Sequence, residues 1–345
     1  MTELIACNDQ GLYCAAGDFY IDPWRGVDRA VITHAHSDHA RMGSRQYLAA
    51  RAGEGVLRLR LGADISLRAV DYGEVVEING VRVSLHPAGH LLGSAQVRLE
   101  HRGQVAVVTG DYKTQPDKTA ASFELVQCDH LVTESTFGLP IYRWKPADEL
   151  IAQINSWWAE NAAEGVTSVI FAYALGKAQR LIGGLDATVG PILLHGAVDA
   201  MTAAYRQAGV NLPPTMYADV DAAKQHRGKA MVIAPMSAAG SPWMKKFGAV
   251  ATATASGWMA VRGTRRYQSV DRGFAVSDHA DWDGLLSVIR GCGAQRVDVT
   301  HGYADALARY LRETRGLDAR RLQTQFTGEG AVEEDLPAQG GKLED

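Results

Sequence analysis

His34-Ala35-His36-Ser37-Asp38-His39 sets four side chains of metal-ligating type within six consecutive residues. Imidazole suits zinc and other first-row metals while carboxylate suits harder ions, so such a cluster can serve two adjacent ions rather than one. Upstream, Arg29-Ala30-Val31-Ile32-Thr33 reads as a short buried strand. Downstream, the chain from Ala40 reads as the start of a helix, so the run is expected on a strand-to-helix loop. A solvated run of surface charge would give the same composition, but Val31 and Ile32 tie this run to a core.

The chain has 345 residues, room for two domains or one large elaborated α/β domain. A hydrophobic fraction of 46% is ordinary for a globular protein. No apolar run approaches the roughly 18 residues of a membrane span. Met1-Thr2-Glu3-Leu4-Ile5 has no basic region leading into an apolar segment, so a cytoplasmic protein without a membrane partner is expected. Cys7, Cys14, Cys128 and Cys292 form no CxxC pair and read as reduced small hydrophobes, which leaves metal work to histidine and carboxylate. Net charge is −4, yet residues 139–275 hold 14 Lys and Arg against 9 Asp and Glu, an excess of five that leaves −9 on the remainder. Acidic segments holding metals beside a basic segment holding a polyanion would produce that split, as would chance variation across solvated faces.

The first 135 or so residues are strand-rich: Val75-Val76-Glu77-Ile78, Val81-Arg82-Val83-Ser84-Leu85, Ala95-Gln96-Val97-Arg98-Leu99 and Gln104-Val105-Ala106-Val107-Val108 alternate or run apolar. Asn79-Gly80 and Arg102-Gly103 are hairpin turn signals between them. From about Ala147 the pattern changes to an amphipathic helix over 148–163, a buried strand Ser168-Val169-Ile170-Phe171 and a helix over 177–185. Such alternation implies a parallel sheet. Val297-Asp298-Val299-Thr300 is another buried strand, ending at His301. Ligand-type residues therefore flank the middle segment and hardly occur within it, which suggests an inserted domain. Residues 329–345, rich in Glu, Asp and Gly, read as a mobile acidic tail.

Two further positions share the context of the opening run: His90 in Pro87-Ala88-Gly89-His90-Leu91-Leu92-Gly93-Ser94, and Asp111 closing Val107-Val108-Thr109-Gly110-Asp111. Alone, the first reads as a satisfied loop histidine and the second as a turn former; together, downstream of HxHxDH, they carry more. His34, His36, Asp38, His39, His90 and Asp111 resemble, in order and spacing, the metal motifs of the metallo-β-lactamase fold. The resemblance implies an α/β protein, an αββα sandwich with ligands on loops at one edge. It implies one ion on His34, His36 and His90, a second on Asp38, His39 and a late histidine, and Asp111 bridging the two. Asp22, in Phe19-Tyr20-Ile21-Asp22-Pro23, resembles that fold's early aspartate, which orients the HxHxDH loop.

Glu134 in Val132-Thr133-Glu134-Ser135-Thr136-Phe137-Gly138, His279 in Val276-Ser277-Asp278-His279-Ala280-Asp281, and His301 in Val299-Thr300-His301-Gly302 resemble the acidic, first and second histidine motifs of the β-CASP branch. Members hydrolyse nucleic-acid phosphodiesters and carry an inserted cap with a parallel sheet flanked by helices. The implied organisation is 1–138 and 276–328 for the metal-holding domain, 139–275 for the cap and 329–345 for the tail. Tyr173-Ala174-Leu175-Gly176-Lys177-Ala178-Gln179-Arg180 resembles the branch's turn facing substrate, and a helix N-terminus beside Lys177 is a sensible phosphate site, with Arg180 close by. Ala16-Gly17-Asp18-Phe19-Tyr20-Ile21-Asp22-Pro23-Trp24-Arg25, Ser241-Pro242-Trp243 and Ser256-Gly257-Trp258-Met259 are similar to bacterial ligase-associated DNA exonucleases over nearly the whole chain. That likeness implies DNA repair beside an ATP-dependent DNA ligase and a helicase. His301 departs from the cross-link-repair nucleases of this fold, which lack it, and agrees with the RNA-processing members.

The implied chemistry is in-line phosphodiester hydrolysis by a hydroxide held on two divalent ions, zinc or manganese, near Asp38 and Asp111. His279 is the candidate for protonating the leaving alkoxide or gripping the phosphate, with Glu134 orienting its ring. Arg262, Arg265 and Arg266 form a basic cluster able to track a phosphate backbone, though solvation explains such a cluster almost as well. Trp157-Trp158 fits a packing face better than a base-stacking platform, for which Trp243 or Trp258 would serve. His195 gets no metal role, and His86, His101, His130 and His226 read as ordinary loop or surface residues. The main rival is RNA processing by the same chemistry, separable by digesting matched DNA and RNA strands. Hydrolysis of a lactam or thioester is disfavoured by the Glu134/His279 pair, and a non-catalytic scaffold by the full ligand set.

Overall fold

The computed structural model describes residues 3–261 and 270–324. Among these, residues 3–143 and 278–324 form one compact unit and 144–277 another.

The first unit holds two sheets. One runs in space as it runs in sequence: Ala6–Asn8, Gly11–Cys14, Phe19–Ile21, Arg29–Val31, Gln46–Ala50 and Leu67–Val70. Its first pairings are antiparallel and the rest parallel. The other sheet, seven-stranded, is ordered Asp318–Arg321, Arg296–Thr300, His130–Glu134, Gln104–Val108, Ala95–His101, Val81–Pro87 and Val75–Ile78. Both hairpin turns of its antiparallel half are as the sequence suggests. Asn79-Gly80 and Arg102-Gly103 each take two successive left-handed residues, between the facing pairs Ile78/Val81 and His101/Gln104.

Period-two alternation sends the strands of the seven-stranded sheet into two cores. Ala106, Val108 and Val132 face Val31, Leu48 and Val70 of the other sheet. Val107, Leu131, Val297 and Val299 face the helices Trp282–Gly291 and Ala304–Arg315 through Leu285, Ile289, Leu307 and Leu311. Gln104–Val108 and His130–Glu134, which lead to Asp111 and Glu134, are thus packed on both faces.

One local expectation fails. No helix begins at Ala40; the chain turns and enters the strand Gln46–Ala50. Gly43 sits at φ +98°, outside the helical region, and the Tyr47 hydroxyl closes the turn by donating to Arg41 O (2.9 Å) and accepting from Ser44 N (2.9 Å). The first α-helix comes later, at Glu54–Leu61.

The second unit is a wholly parallel sheet ordered Met216–Tyr217, Ile192–Leu194, Met231–Ala234, Thr167–Phe171, Val250–Ala255 and Arg272–Phe274. Helices Ala147–Ala163, Lys177–Gly184 and Gly196–Gln207 alternate with its strands. On the first of them Trp158 is wholly buried and donates Nε1–H to Lys229 O at 2.9 Å, while Trp157 packs its edge on Phe274. Both tryptophans therefore belong to packing. No described helix is long and apolar enough to cross a membrane.

Candidate metal centre

In the first unit, four strands and one turn deliver polar side chains to one place. The strand Arg29–Val31 leads into His34, Gln104–Val108 into Asp111, and Arg296–Thr300 into His301. His130–Glu134 ends on Glu134, and His90 lies in the connection from Val81–Pro87 to Ala95–His101. His34, His36, His90 and Asp111 form one group with mutually close ligand atoms, Asp38, His39 and His301 a second, and Asp111, Glu134 and His279 a third. Asp111 is common to the first and third.

The ring geometry suits an ion. His36 Nδ1 lies 3.2 Å from His34 Nε2 and 3.1 Å from His90 Nε2. Tetrahedral zinc with nitrogens at about 2.0–2.1 Å would hold them roughly 3.3 Å apart. The distal nitrogens are engaged elsewhere, which turns the converging ones inward: His90 Nδ1 meets Asp278 O at 2.8 Å and His34 Nδ1 meets Thr33 Oγ1 at 3.0 Å. Asp111 Oδ2 lies 3.6 Å from His34 Nε2, 3.9 Å from His90 Nε2 and 3.5 Å from His39 Nε2, so one carboxylate oxygen faces both histidine groups. Among the described residues, His39 Nε2 and Asp111 Oδ1 are buried with no hydrogen-bond partner. Cations bound here would satisfy both, and the donor set fits divalent metal ions.

The electrostatics suit a site able to hold a cation. Burial, reinforced by neighbouring histidines, holds His34 well below its ordinary pKa and His90 down at about 3, so both present neutral rings. Burial also works against ionisation of Asp111, but His39 and His279 outweigh it and keep the carboxyl well below its usual range. Asp38 is lowered, against burial, by His39. Burial would push His39 down, yet Asp38, Asp111 and Asp22 together hold it well above its ordinary value. A cation held by Asp38, His39 and His301 would take over as partner to the carboxylates.

Asp22 reaches under the opening run. Its carboxylate accepts from Thr33 N at 2.8 Å and Thr33 Oγ1 at 2.5 Å, and its Oδ2 lies 2.7 Å from His39 Nδ1. Asp22 and His301 both adopt positive φ, +45° and +56°, which non-glycine residues take only where surroundings impose it. For His301 the surroundings are Ser135, whose hydroxyl donates to Thr300 O and His301 O and whose carbonyl accepts Tyr303 N. A Cβ on Gly302 would collide with that same carbonyl.

Beside the metal groups, His279 Nδ1 lies 3.1 and 3.0 Å from the two oxygens of the wholly buried Glu134, and 4.0 Å from Asp111 Oδ2. The carboxylate fixes the Nδ1–H tautomer, leaving Nε2 as the atom that can face a substrate.

The other candidates fall in the second unit, outside the described residues or in separate contacts. Lys177 and Arg180 are in the second unit, where Lys177 is almost wholly buried with its ammonium 4.2 Å from the Tyr173 ring centroid and Arg180 donates to Ser277 O. Arg262, Arg265 and Arg266 lie outside the described residues, as does the acidic tail. Trp243 is half-buried against His195, Phe247 and Lys246. His195 itself caps the helix Gly196–Gln207, its Nδ1 accepting from Ala197 N. His86 pairs with Glu124 and His130 with Asp298, while His101 meets Gly80 O, all away from the centre. Thr33, Ser135 and the carbonyl of Asp278 are supporting groups that sequence reading did not single out. Thr33 adjoins His34, the one signal available; a carbonyl leaves none.

These observations define an α/β protein whose buried His/Asp centre, at the ends of two packed sheets, could hold metal ions. No family model matches the chain. It is 32% identical over 311 residues to a "Probable DNA ligase" of Opitutus terrae, a match covering 90% of this chain and 30% of that protein. It is 33% identical over 123 residues to "Endoribonuclease ysh-1" of Neurospora crassa, covering 35% of this chain and 14% of that one. Over 122 residues it is 31% identical to "Cleavage and polyadenylation specificity factor subunit 3-I" of Arabidopsis thaliana, covering 35% and 17%. The chain thus spans less than a third of the curated relatives named here. In fold it is similar to a crystal structure of a protein of unknown function from Enterococcus faecalis V583, with a TM-score of 0.61, 12% identity, and 86% of this chain and 79% of that one covered.

Proposed function

We propose that this protein is a metal-dependent nuclease of the metallo-β-lactamase fold and its β-CASP branch, hydrolysing DNA phosphodiesters from a strand end in repair beside a DNA ligase and a helicase. On this reading residues 1–138 and 276–328 form the metal-holding domain and 139–275 the cap. The observation that carries it is the Glu134–His279 pair beside the Asp111-centred histidine groups, 4.0 Å separating His279 Nδ1 from Asp111 Oδ2. A site for small neutral substrates has no need of a second, carboxylate-oriented imidazole at its rim; a phosphodiester, anionic and with a poor leaving group, does.

His34, His36 and His90 would hold one divalent ion, and Asp38, His39 and His301 another, with Asp111 facing both; zinc or manganese suits the set. When bound, such ions supply activated water at neutral pH and offset charge on the non-bridging oxygens. Glu134 accepts from His279 Nδ1 and so favours the doubly protonated ring, whose Nε2–H would grip the scissile phosphate or pass its proton to the leaving oxygen. Similarity to a ligase-named protein over 90% of the chain supports the repair setting.

A second reading, RNA cleavage, is favoured by the endoribonuclease names of several relatives and by His301 beside Asp38 and His39. Matched DNA and RNA strands, labelled at either end, single- and double-stranded, are incubated with stripped protein and added Zn, Mn or Mg. Mononucleotides released early from one labelled DNA end support the proposal. An internal ladder at early times, or cleavage of RNA alone, overturns the exonuclease assignment.

A further inference from the structure

The tripeptide Asp111-Tyr112-Lys113 is bonded through its backbone to three loops of the centre. Tyr112 N donates to Glu134 Oε1 at 2.8 Å, and Tyr112 O accepts from Ala280 N, next to His279, at 2.6 Å. Lys113 N donates to Ala88 O, two residues before His90, at 3.0 Å. The His90 turn lies flush on this backbone, because Gly89 is at φ +77° and a Cβ there would run into Lys113 O. One short segment therefore carries Asp111 and sets the heights of His90, Glu134 and His279.

The tripeptide is fixed from below. Lys113 is 1% exposed, and its ammonium lies 3.1 Å from Asp117 Oδ2, whose side chain is 6% exposed. The other Asp117 oxygen accepts from Thr119 N at 2.8 Å and Thr119 Oγ1 at 2.6 Å. An ion pair this deep gives little net stability over well-packed apolar residues of the same volume. What it adds over them is a defined separation between two chain positions, since ammonium and carboxylate must meet at hydrogen-bond distance.

We propose that Lys113 and Asp117 are positioning residues for the hydrolytic centre, holding the 111–113 backbone at the height that places Asp111 between the histidine groups and His279 against Glu134. The proposal rests on the hydrolase reading above. Neither side chain touches the reacting atoms; each acts through the backbone of Tyr112 and Lys113.

The test is the double variant Lys113→Met/Asp117→Asn, which removes both charges of the pair together. Ion affinity is measured by competition with a chromophoric chelator, thermal midpoint by calorimetry, and kcat and KM on a labelled DNA strand. Ion affinity should fall about 10- to 100-fold, as for groups that orient metal ligands, and kcat should fall with it while KM moves less than about threefold. Added to His279→Ala, the double variant should lower kcat by less than it does alone, because both act on one geometry. A folded variant with ion affinity and kcat within about twofold of wild type overturns the proposal. Should the double variant fail to fold, Thr119→Val removes one Asp117 hydrogen bond without touching a charge, and unchanged ion affinity in that folded protein overturns it equally. If wild-type protein proves inert toward DNA and RNA alike, the nuclease reading falls, and the ion-affinity measurement still decides the role of this pair.

Discussion

Asp22 Oδ2 lies 2.7 Å from His39 Nδ1, and the same carboxylate takes the amide and hydroxyl of Thr33 at the foot of the HxHxDH run. Three donors on one carboxylate leave His39 Nε2 as the outward nitrogen and pin the run to the strand before it.

Replacing Asp22 by Asn tests this division of labour cleanly, because asparagine tolerates the φ of +45° that the position requires. The amide has one acceptor oxygen where three donors converge, so either Thr33 or His39 loses its partner. Ion affinity should fall about 10- to 100-fold. The far-ultraviolet circular dichroism spectrum should stay that of wild type. Full ion content in the purified variant would show that Asp22 is not needed to aim His39.

His279→Ala should separate turnover from metal content. His279 Nδ1 is committed to Glu134, and the ring lies tilted on His90 with centroids 4.8 Å apart, at the rim of the histidine groups. General acid and charge-gripping roles are typically worth about 10²- to 10⁴-fold, so kcat should drop by that order with bound metal, measured by atomic emission, nearly unchanged. Glu134→Gln should give a smaller loss in the same direction, since Tyr112 N keeps its acceptor but the ring loses its anionic partner. Loss of metal from the His279 variant would make that residue a ligand instead.

How legible the centre was in the sequence depends on what each residue is held by. The opening run, His90 and Asp111 could be marked because strand ends and glycine turns leave a trace in the local pattern. Asn79-Gly80 predicted its hairpin for the same reason. A contact between distant segments left none, as where the carbonyl of Asp278 fixes His90 Nδ1, and the local pattern around Lys113 does not signal that it is almost wholly buried. The failed helix at Ala40 shows the opposite limit. A stretch with adequate helix formers was overridden by Gly43 and by the Tyr47 hydroxyl, which closes the turn on Arg41 O. Lys177 gives a third case, since a basic residue at a helix start reads as a phosphate site, and the fold buries it beside Tyr173.

Trp158→Phe should lower stability without altering nucleic-acid binding. The indole is wholly buried and its N–H is bonded to Lys229 O, a donor that phenylalanine would take from that carbonyl. A buried acceptor stripped of its donor is worth about 1–3 kcal/mol, and the smaller ring adds a cavity term of the same sign. Denaturant unfolding should show a lowered midpoint, and fluorescence anisotropy with a labelled strand should give the wild-type Kd at a fixed salt concentration. Weakened binding in a fully folded variant would overturn the assignment of Trp158 to packing.

Withdrawing divalent ions should abolish hydrolysis and also loosen the first unit, because the groups that converge there repel or lack partners on their own. His34, His36 and His90 turn nitrogens toward one another at 3.1–3.2 Å, and Asp111 Oδ1 and His39 Nε2 are buried without hydrogen bonds among the described residues. An ion that binds the folded form alone stabilises it by RT ln(1 + [L]/Kd), about 2.7 kcal/mol at a hundredfold excess over Kd. Titrating zinc or manganese into chelator-treated protein should therefore raise the thermal midpoint steadily with concentration, and calcium, which prefers an all-oxygen shell, should do so far less. The His34→Ala variant should lose most of the zinc-dependent rise. A midpoint indifferent to zinc and manganese in the wild-type protein would mean that the histidine groups do not hold an ion.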